Sequence, residues 1–445
     1  KGNNLRNANL SPTGQRAIFE YRGEIFTVPK EKGSWRNLTN SPGEADRYPV
    51  WSPKGDKVAW FSDASGEYQL VVADQFGNNQ QSFSLKNPTF YFKPDWSPDG
   101  SKIVYTDTDY NIWFIDLESE EIKKVATDMF AHPNRTMNPV WSPDSKWIAY
   151  VRQLKNSFKA AFAFHVETEE KIQLTDGLAD VISPVWDENG KYIYFLASTD
   201  YGLNTGWLDM SSYDPDVTRN LYCLLLAEDE PSPLLPESDD EKIEDTEAEK
   251  ETEEKENGEK KDEEKEDEIS VTIDPEGIAN RTIALKMPNR NYVGLEEGPE
   301  NTVFVAESVP NQSGIVFHKF NLKENKTDSF LEGIRTAVVS ADRKNILYQK
   351  GSSWSIAGTA SKPKNGDGQL NTNMKIKVDP QAEYEQIFKE AWRYMRDFLY
   401  VDNVHGAPWD KIYEWYSPWI KHVRHRTDLN YVVDILSGEV SVGHS

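Results

Sequence analysis

The stretch "WSPDGSKIVY", Trp96 to Tyr105, decides the fold. Its Ser-Pro-Asp-Gly is turn chemistry: proline presets φ, aspartate bonds to nearby backbone, and glycine accepts a positive φ. The run that follows, Ile103, Val104 and Tyr105, has the composition of a short buried strand. The same phrase recurs as "WSPKGDKVAW" from Trp51 and "WSPDSKWIAY" from Trp141, and more loosely as "WDENGKYIYF" from Trp186, each start 45 residues after the last. Degenerate copies begin at Leu10 ("LSPTGQRAIF"), Leu295 ("LEEGPENTVF") and Val339 ("VSADRKNILY"), which makes seven.

A 40–45-residue period belongs to propeller blades or to helical arrays. Here each phrase leads into a second strand, such as "NIWFIDL" from Asn111, then a polar turn and a short third strand, "IKKVA". Several short strands per repeat, with no i, i+3, i+4 spacing, describe a β-propeller blade. The expectation is a mainly β chain with a seven-bladed propeller over residues 1–378. Its repeated tryptophans should pack between blades rather than stack on a ligand.

The net charge of −24 is unevenly placed. The stretch 237–268 holds 19 acidic residues and 6 lysines, about half of that charge. With almost nothing to bury it cannot offset its ordering entropy, so it reads as a disordered loop inserted in a blade, not a domain boundary. The acidic balance argues against nucleic acid as a partner. No apolar run reaches membrane-spanning length. The one cysteine, Cys223 in "LYCLLLA", reads as a buried strand residue.

After "MKIKVDP", the last strand-like run, the period changes. From Glu383 "EYEQIFKEAWRYMRDFLY" places Ile387, Ala391, Met395 and Phe398 on one helical face, with Phe388, Trp392 and Leu399 beside them. A second helical stretch, "APWDKIYEWYSPWIKHV", should break near Pro418. A third, "RTDLNYVVDILSGEV", has Thr427 as N-cap and Gly438 as C-cap. Residues 379–445 are thus expected to open a new, helical segment.

Together the propeller phrases and the tail segments "EAWRYMRDFLY", "HGAPWDKIYEWY" and "RTDLNYVVDILSGEVSVGHS" resemble the tricorn-type serine peptidases, propeller-bearing relatives of the C-terminal-processing proteases. The resemblance covers essentially the whole chain, and its tail is the more specific part. It implies a central piece of a longer protein: the second of two propellers, then the helical start of a peptidase core whose remainder follows a PDZ domain. It also implies that His444, in Gly443-His444-Ser445, is the general base for a serine nucleophile elsewhere in the protein. An imidazole suits that task because its ordinary pKa lies near neutrality. The sequence departs from the family at Gly443, where a serine relay residue is expected, so the resemblance carries the base and not the relay. It further implies unfolded peptides as substrates, the propeller as their gate or channel, no cofactor, a cytoplasmic place (an exported form being the alternative) and a homo-oligomer. This chain alone should be inactive.

The competing reading is a non-enzymatic, TolB-like propeller serving as a protein-binding platform, which has no need of the helical tail. No Gly-x-Ser-x-Gly elbow and no His-Glu-x-x-His occur, and the seven histidines lack metal-ligand spacing. His422 and His425, in "KHVRHR", read as a solvated face.

Overall fold

The computed structural model describes residues 4–128, 137–200, 217–235 and 269–442. The acidic stretch 237–268 therefore lies outside the described residues.

The repeats form antiparallel four-stranded meanders over 6–37, 47–83, 91–127, 140–173 and 180–284. In four of them the repeated tryptophan closes the innermost strand in one register: Trp51 opposite Val58, Trp96 opposite Ile103, Trp141 opposite Ile148 and Trp186 opposite Ile193. All four tryptophans are buried. Trp141 Nε1 donates to the Asp95 carbonyl (3.2 Å) and Trp186 Nε1 to the Val140 carbonyl (3.3 Å). Trp141 and Trp186 thus tie their sheets to the preceding ones, which is the packing role expected of them.

The Ser-Pro-Asp-Gly turns repeat one geometry. The Gly100 N–H bonds to the Ser97 carbonyl at 2.8 Å, and Ser97 Oγ accepts the Lys102 N–H at 2.9 Å. The turn needs a positive φ at its fourth residue, and Gly100 supplies it at 75°. Ser145 (62°) and Arg343 (56°) hold the same conformation without glycine, so the turn's hydrogen bonds outweigh the local strain.

The count of seven blades is corrected: the described strands form six sheets. The copies at Leu295 and Val339 share the sixth, a six-stranded sheet spanning 292–358. Its strand Lys326–Val339, 14 residues long, pairs on one side with Ile315–Asn321 and on the other with Asn345–Lys350. One continuous strand thus ends one repeat and begins the next, where the earlier repeats are separated by loops. The ring closes where Leu10, Ala17 and Phe19 of the first sheet pack with Leu347, Trp354 and Ile356 of the sixth.

Met374–Pro380 is not a strand either. The last strand is Ser353–Gly358, and the chain runs irregularly from there to α1 (Pro380–Phe398). Helices α2 (Trp409–Ile420) and α3 (Arg426–Gly438) complete a three-helix unit. Its core is Phe388, Trp392, Trp409, Ile412, Leu429 and Leu436 with their neighbours. Pro418 does not break α2, which runs two residues past it. So near a helix end the lost N–H bond and the ring clash are both tolerable.

The two faces of the propeller differ. Helix α1 lies on the face formed by the second-to-third-strand turns and the inter-sheet connections. The acidic stretch interrupts the fifth sheet between its third strand, Asn220–Leu225, and its fourth, Thr282–Ala284. Its described flank carries Val271, whose N–H bonds to Asp144 in a Ser-Pro-Asp turn at 3.0 Å. The described flanks of the stretch therefore lie on the face turned away from the helices.

Candidate functional site

The helical unit carries the candidate site at its C-terminal end. The N-cap of α3 is not Thr427 but a residue two positions earlier. His425 is the N-cap: its ring nitrogen accepts the Thr427 N–H at 3.3 Å, and Asp428 returns a bond to the His425 N–H at 3.0 Å. A histidine can cap in this way because a neutral imidazole keeps one acceptor nitrogen. His422 is exposed, as expected of a solvated face.

At the other end Gly438 is still helical and Glu439 is the C-cap. Glu439 accepts from the Tyr416 hydroxyl at 2.5 Å, which pins the end of α3 to α2. Val440 is buried in the helical core, Ser441 turns left-handed at φ 58°, and Val442 packs back on the same core. His444 lies outside the described residues, as does Gly443.

Two indoles brace this unit reciprocally. Trp392 Nε1 donates to the Trp409 carbonyl (2.9 Å) and Trp409 Nε1 to the Trp392 carbonyl (3.0 Å). Both rings are buried, so each N–H is satisfied where water cannot reach.

The unit is docked on the propeller through a buried ionic network that the sequence reading did not find. The Arg393 side chain is fully buried. It donates to Asp63 at 2.6 Å and to the Gly66 carbonyl, and lies over the Tyr68 ring at 5.3 Å. One turn earlier Glu390 accepts from Arg47 and, at 3.2 Å, from the Tyr68 hydroxyl. One turn later Arg396 grips both oxygens of Glu67 at 2.8 and 3.0 Å. Burial pushes the Glu390 carboxyl up, with Arg47 and Arg393 opposing. For Glu67 burial pushes up too, but the bond and charge of Arg396 prevail and hold it below its usual value. Rings complete the contact: Phe90 of the propeller meets Tyr394 at 4.7 Å and Phe398 at 5.4 Å. The signal was in the sequence as Glu390, Arg393 and Arg396 at i, i+3, i+6, a charged stripe beside the apolar one. Alone, such a stripe reads as solvated.

Among the described residues no group of three or more His, Cys, Asp or Glu is arranged to hold a metal ion. Cys223 is fully buried, and burial pushes its thiol far above the usual range, which disfavours a nucleophilic thiolate.

A ring of antiparallel sheets clamped to a short helical bundle defines a propeller joined to a second functional unit. The family described as "Tricorn protease second beta propeller domain" matches residues 5–359, and "Tricorn protease C1 domain" matches residues 380–438. The chain belongs to the tricorn protease family. It is 22% identical to Tricorn protease homolog 1 of Streptomyces coelicolor over 98% of this chain and 42% of that protein. It is 24% identical to the Tricorn protease homolog of Saccharolobus solfataricus over 38% of this chain and 17% of that one. The crystal structure of the tricorn protease superposes with a TM-score of 0.80 at 17% identity, covering 100% of this chain and 42% of that one. The chain thus spans less than half the length of the proteins it matches end to end.

Proposed function

We propose that this chain is the propeller (1–378) and the opening helical segment (379–445) of a tricorn-type serine peptidase. In this reading His444 is the general base. It takes the proton of a serine hydroxyl in another part of the protein as the serine attacks the peptide carbonyl, and returns it to the leaving amine. The propeller admits unfolded peptides toward that site. The observation that carries the reading is the succession of the two family matches, propeller then C1 domain, in one chain. The helical end supports it: Val440 and the Glu439–Tyr416 bond fix the backbone a few residues before His444. A cytoplasmic homo-oligomer acting on peptides without a cofactor follows from the same reading.

The test compares three proteins on unfolded peptides: the full-length protein, its His444→Ala variant, and the 445-residue chain alone. Losing a triad base costs on the order of 10⁴- to 10⁶-fold in turnover, so His444→Ala should nearly abolish kcat while leaving KM within a few-fold. The chain alone should be inactive, because it supplies a base without a nucleophile. Wild-type turnover in the variant, or cleavage by the purified chain, refutes the assignment.

A further inference from the structure

The bore of the propeller is walled by the innermost strands, whose free edges face the axis. One equivalent position on each comes just before the strand's close: Asn9, Val50, Val140 and Val185 in four sheets, Asp95 and Glu296 in the third and sixth. The register fixes the equivalence, with Val50 opposite Ala59, Asp95 opposite Val104, Val140 opposite Ala149 and Glu296 opposite Phe304. A collar of three valines and an asparagine therefore carries two carboxylates.

Three observations single out this pair. First, solvent reaches Asp95, and partly Glu296, yet protein crowds both, as on the wall of a narrow passage. Burial first, then Glu297, raises the Asp95 carboxyl to about 7. Burial, then Glu297 and Asp95, raises Glu296 to about 8, with Lys93 opposing. Second, Asp95 and Glu296 sit on innermost strands of sheets that are not neighbours in the ring, yet Glu296 senses Asp95, and Asp95 senses the adjacent Glu297, across the axis. Third, neither carboxylate forms a salt bridge or a side-chain hydrogen bond among the described residues: Asp95 accepts the N–H of adjacent Trp96, and Lys93 acts on Glu296 only through its charge. Elsewhere enclosed carboxylates are satisfied. Asp46 accepts from Ser41 at 2.6 Å and Trp60 at 3.1 Å, Asp180 from Lys159 at 3.0 Å, and Asp187 from Tyr194 at 2.7 Å. A carboxylate crowded by protein and lacking an ion pair of its own favours a cation that comes within reach.

We propose that Asp95 and Glu296 act as a charge filter in the bore, favouring extended peptide segments that carry lysine or arginine. The proposal rests on the reading of the propeller as a route for peptides and names the substrate class for that route. An ammonium or guanidinium passing the collar supplies a direct partner for both carboxylates, and the protein crowding them strengthens the pairing relative to open water. A glutamate-rich segment meets repulsion at the same level.

The test uses this 445-residue chain and fluorescein-labelled, unstructured 14-residue peptides that differ only in having lysine, glutamine or glutamate at alternate positions. The lysine peptide should bind about tenfold more tightly than the glutamine peptide, about 1.4 kcal/mol. In Asp95→Asn/Glu296→Gln that ratio should fall to about two or less. The control variant Asp229→Asn/Glu276→Gln removes two charges from exposed outer positions and should keep the tenfold ratio. Circular dichroism checks that each variant is folded. A third variant, Ser183→Cys, bears a bulky maleimide within the bore, where Ser183 Oγ lies 3.7 Å from the place of a Cβ on Gly294. The native Cys223 is buried and escapes labelling. If wild type shows no charge preference, or the bore double variant keeps it, the filter is refuted. If blocking abolishes binding that is indifferent to peptide charge, the route stands and the filter falls. If a charge preference survives blocking, binding lies off the bore and both readings fall.

Discussion

Replacing Arg393 by methionine tests the docking of the helical unit. Methionine keeps most of the volume and removes the charge. It leaves Asp63, which is 5% exposed, without its cation but still accepting the Ala45 N–H at 2.7 Å. Glu390, 9% exposed at its side chain, loses one of two nearby cations and keeps Arg47. Removing one partner of a buried ion pair typically costs ~3–5 kcal/mol. The remaining bonds of Asp63 and the bidentate Arg396–Glu67 grip put the expectation at the lower end, about 3 kcal/mol. The loss should fall on the joint between the two units. In a melt followed at a helical and a sheet wavelength, coincident transitions should separate, the helical one moving down by roughly 6–12 °C. The double variant Arg393→Met/Asp63→Asn, which removes the orphaned carboxylate, should recover about 1 kcal/mol or more. A single, coincident melt within 2 °C of wild type would refute the claim that this network holds the units together.

Four further outcomes are expected. Deleting 237–268 should leave the thermal midpoint within about 4 °C, the scale of a ~1 kcal/mol change, because the segment has little to bury; a larger fall, measured by calorimetry, contradicts this. Asp95 and Glu296 have folded pKa values raised to about 7 and about 8, so stability should decline as pH rises from about 4 through 8, and Asp95→Asn/Glu296→Gln should flatten that decline in urea titrations. Gly100→Ala meets nothing within 4 Å and should cost about 1 kcal/mol for its positive φ alone. Gly14→Ala would add a Cβ 2.5 Å from Asn345 and should cost ~1–3 kcal/mol more in the same denaturant assay.

What the sequence disclosed depended on how local the cause was. The tryptophan phrases placed the blades because turn and strand chemistry sit within ten residues of each other. The sheet count escaped because whether Lys326–Val339 runs straight through or breaks depends on pairing on both of its edges, which no local signal records. In α1 the apolar face was readable, with Phe388 and Trp392 buried as the pattern required. The charged face was not, since Glu390 and Arg393 look like surface residues until blade loops supply Arg47 and Asp63. Thr427 was a reasonable cap by type, but His425 took the position by a bond that depends on its tautomer. The reading of His444 came from a resemblance in the tail and owes nothing to the periodicity.

The closure of the ring has a mechanical meaning. Within each sheet neighbouring strands are laced by backbone hydrogen bonds, but the first and sixth sheets share no strand pair among those described. They meet through Phe19 and Trp354 with ring centroids 5.0 Å apart, the Asp342 N–H on the Pro12 carbonyl (3.1 Å), and Asn345, which bonds the Thr13 carbonyl (3.2 Å) and Lys30 (3.3 Å). A load that stretched the ring outward could part this joint by separating side chains, without unzipping a ladder. Arg22 on Glu383 and Arg47 on Glu390 fasten the first two sheets to α1. The leaf that swung would therefore carry the helical unit with it, and the calibre of the ring would change together with the position of the chain's C-terminal end.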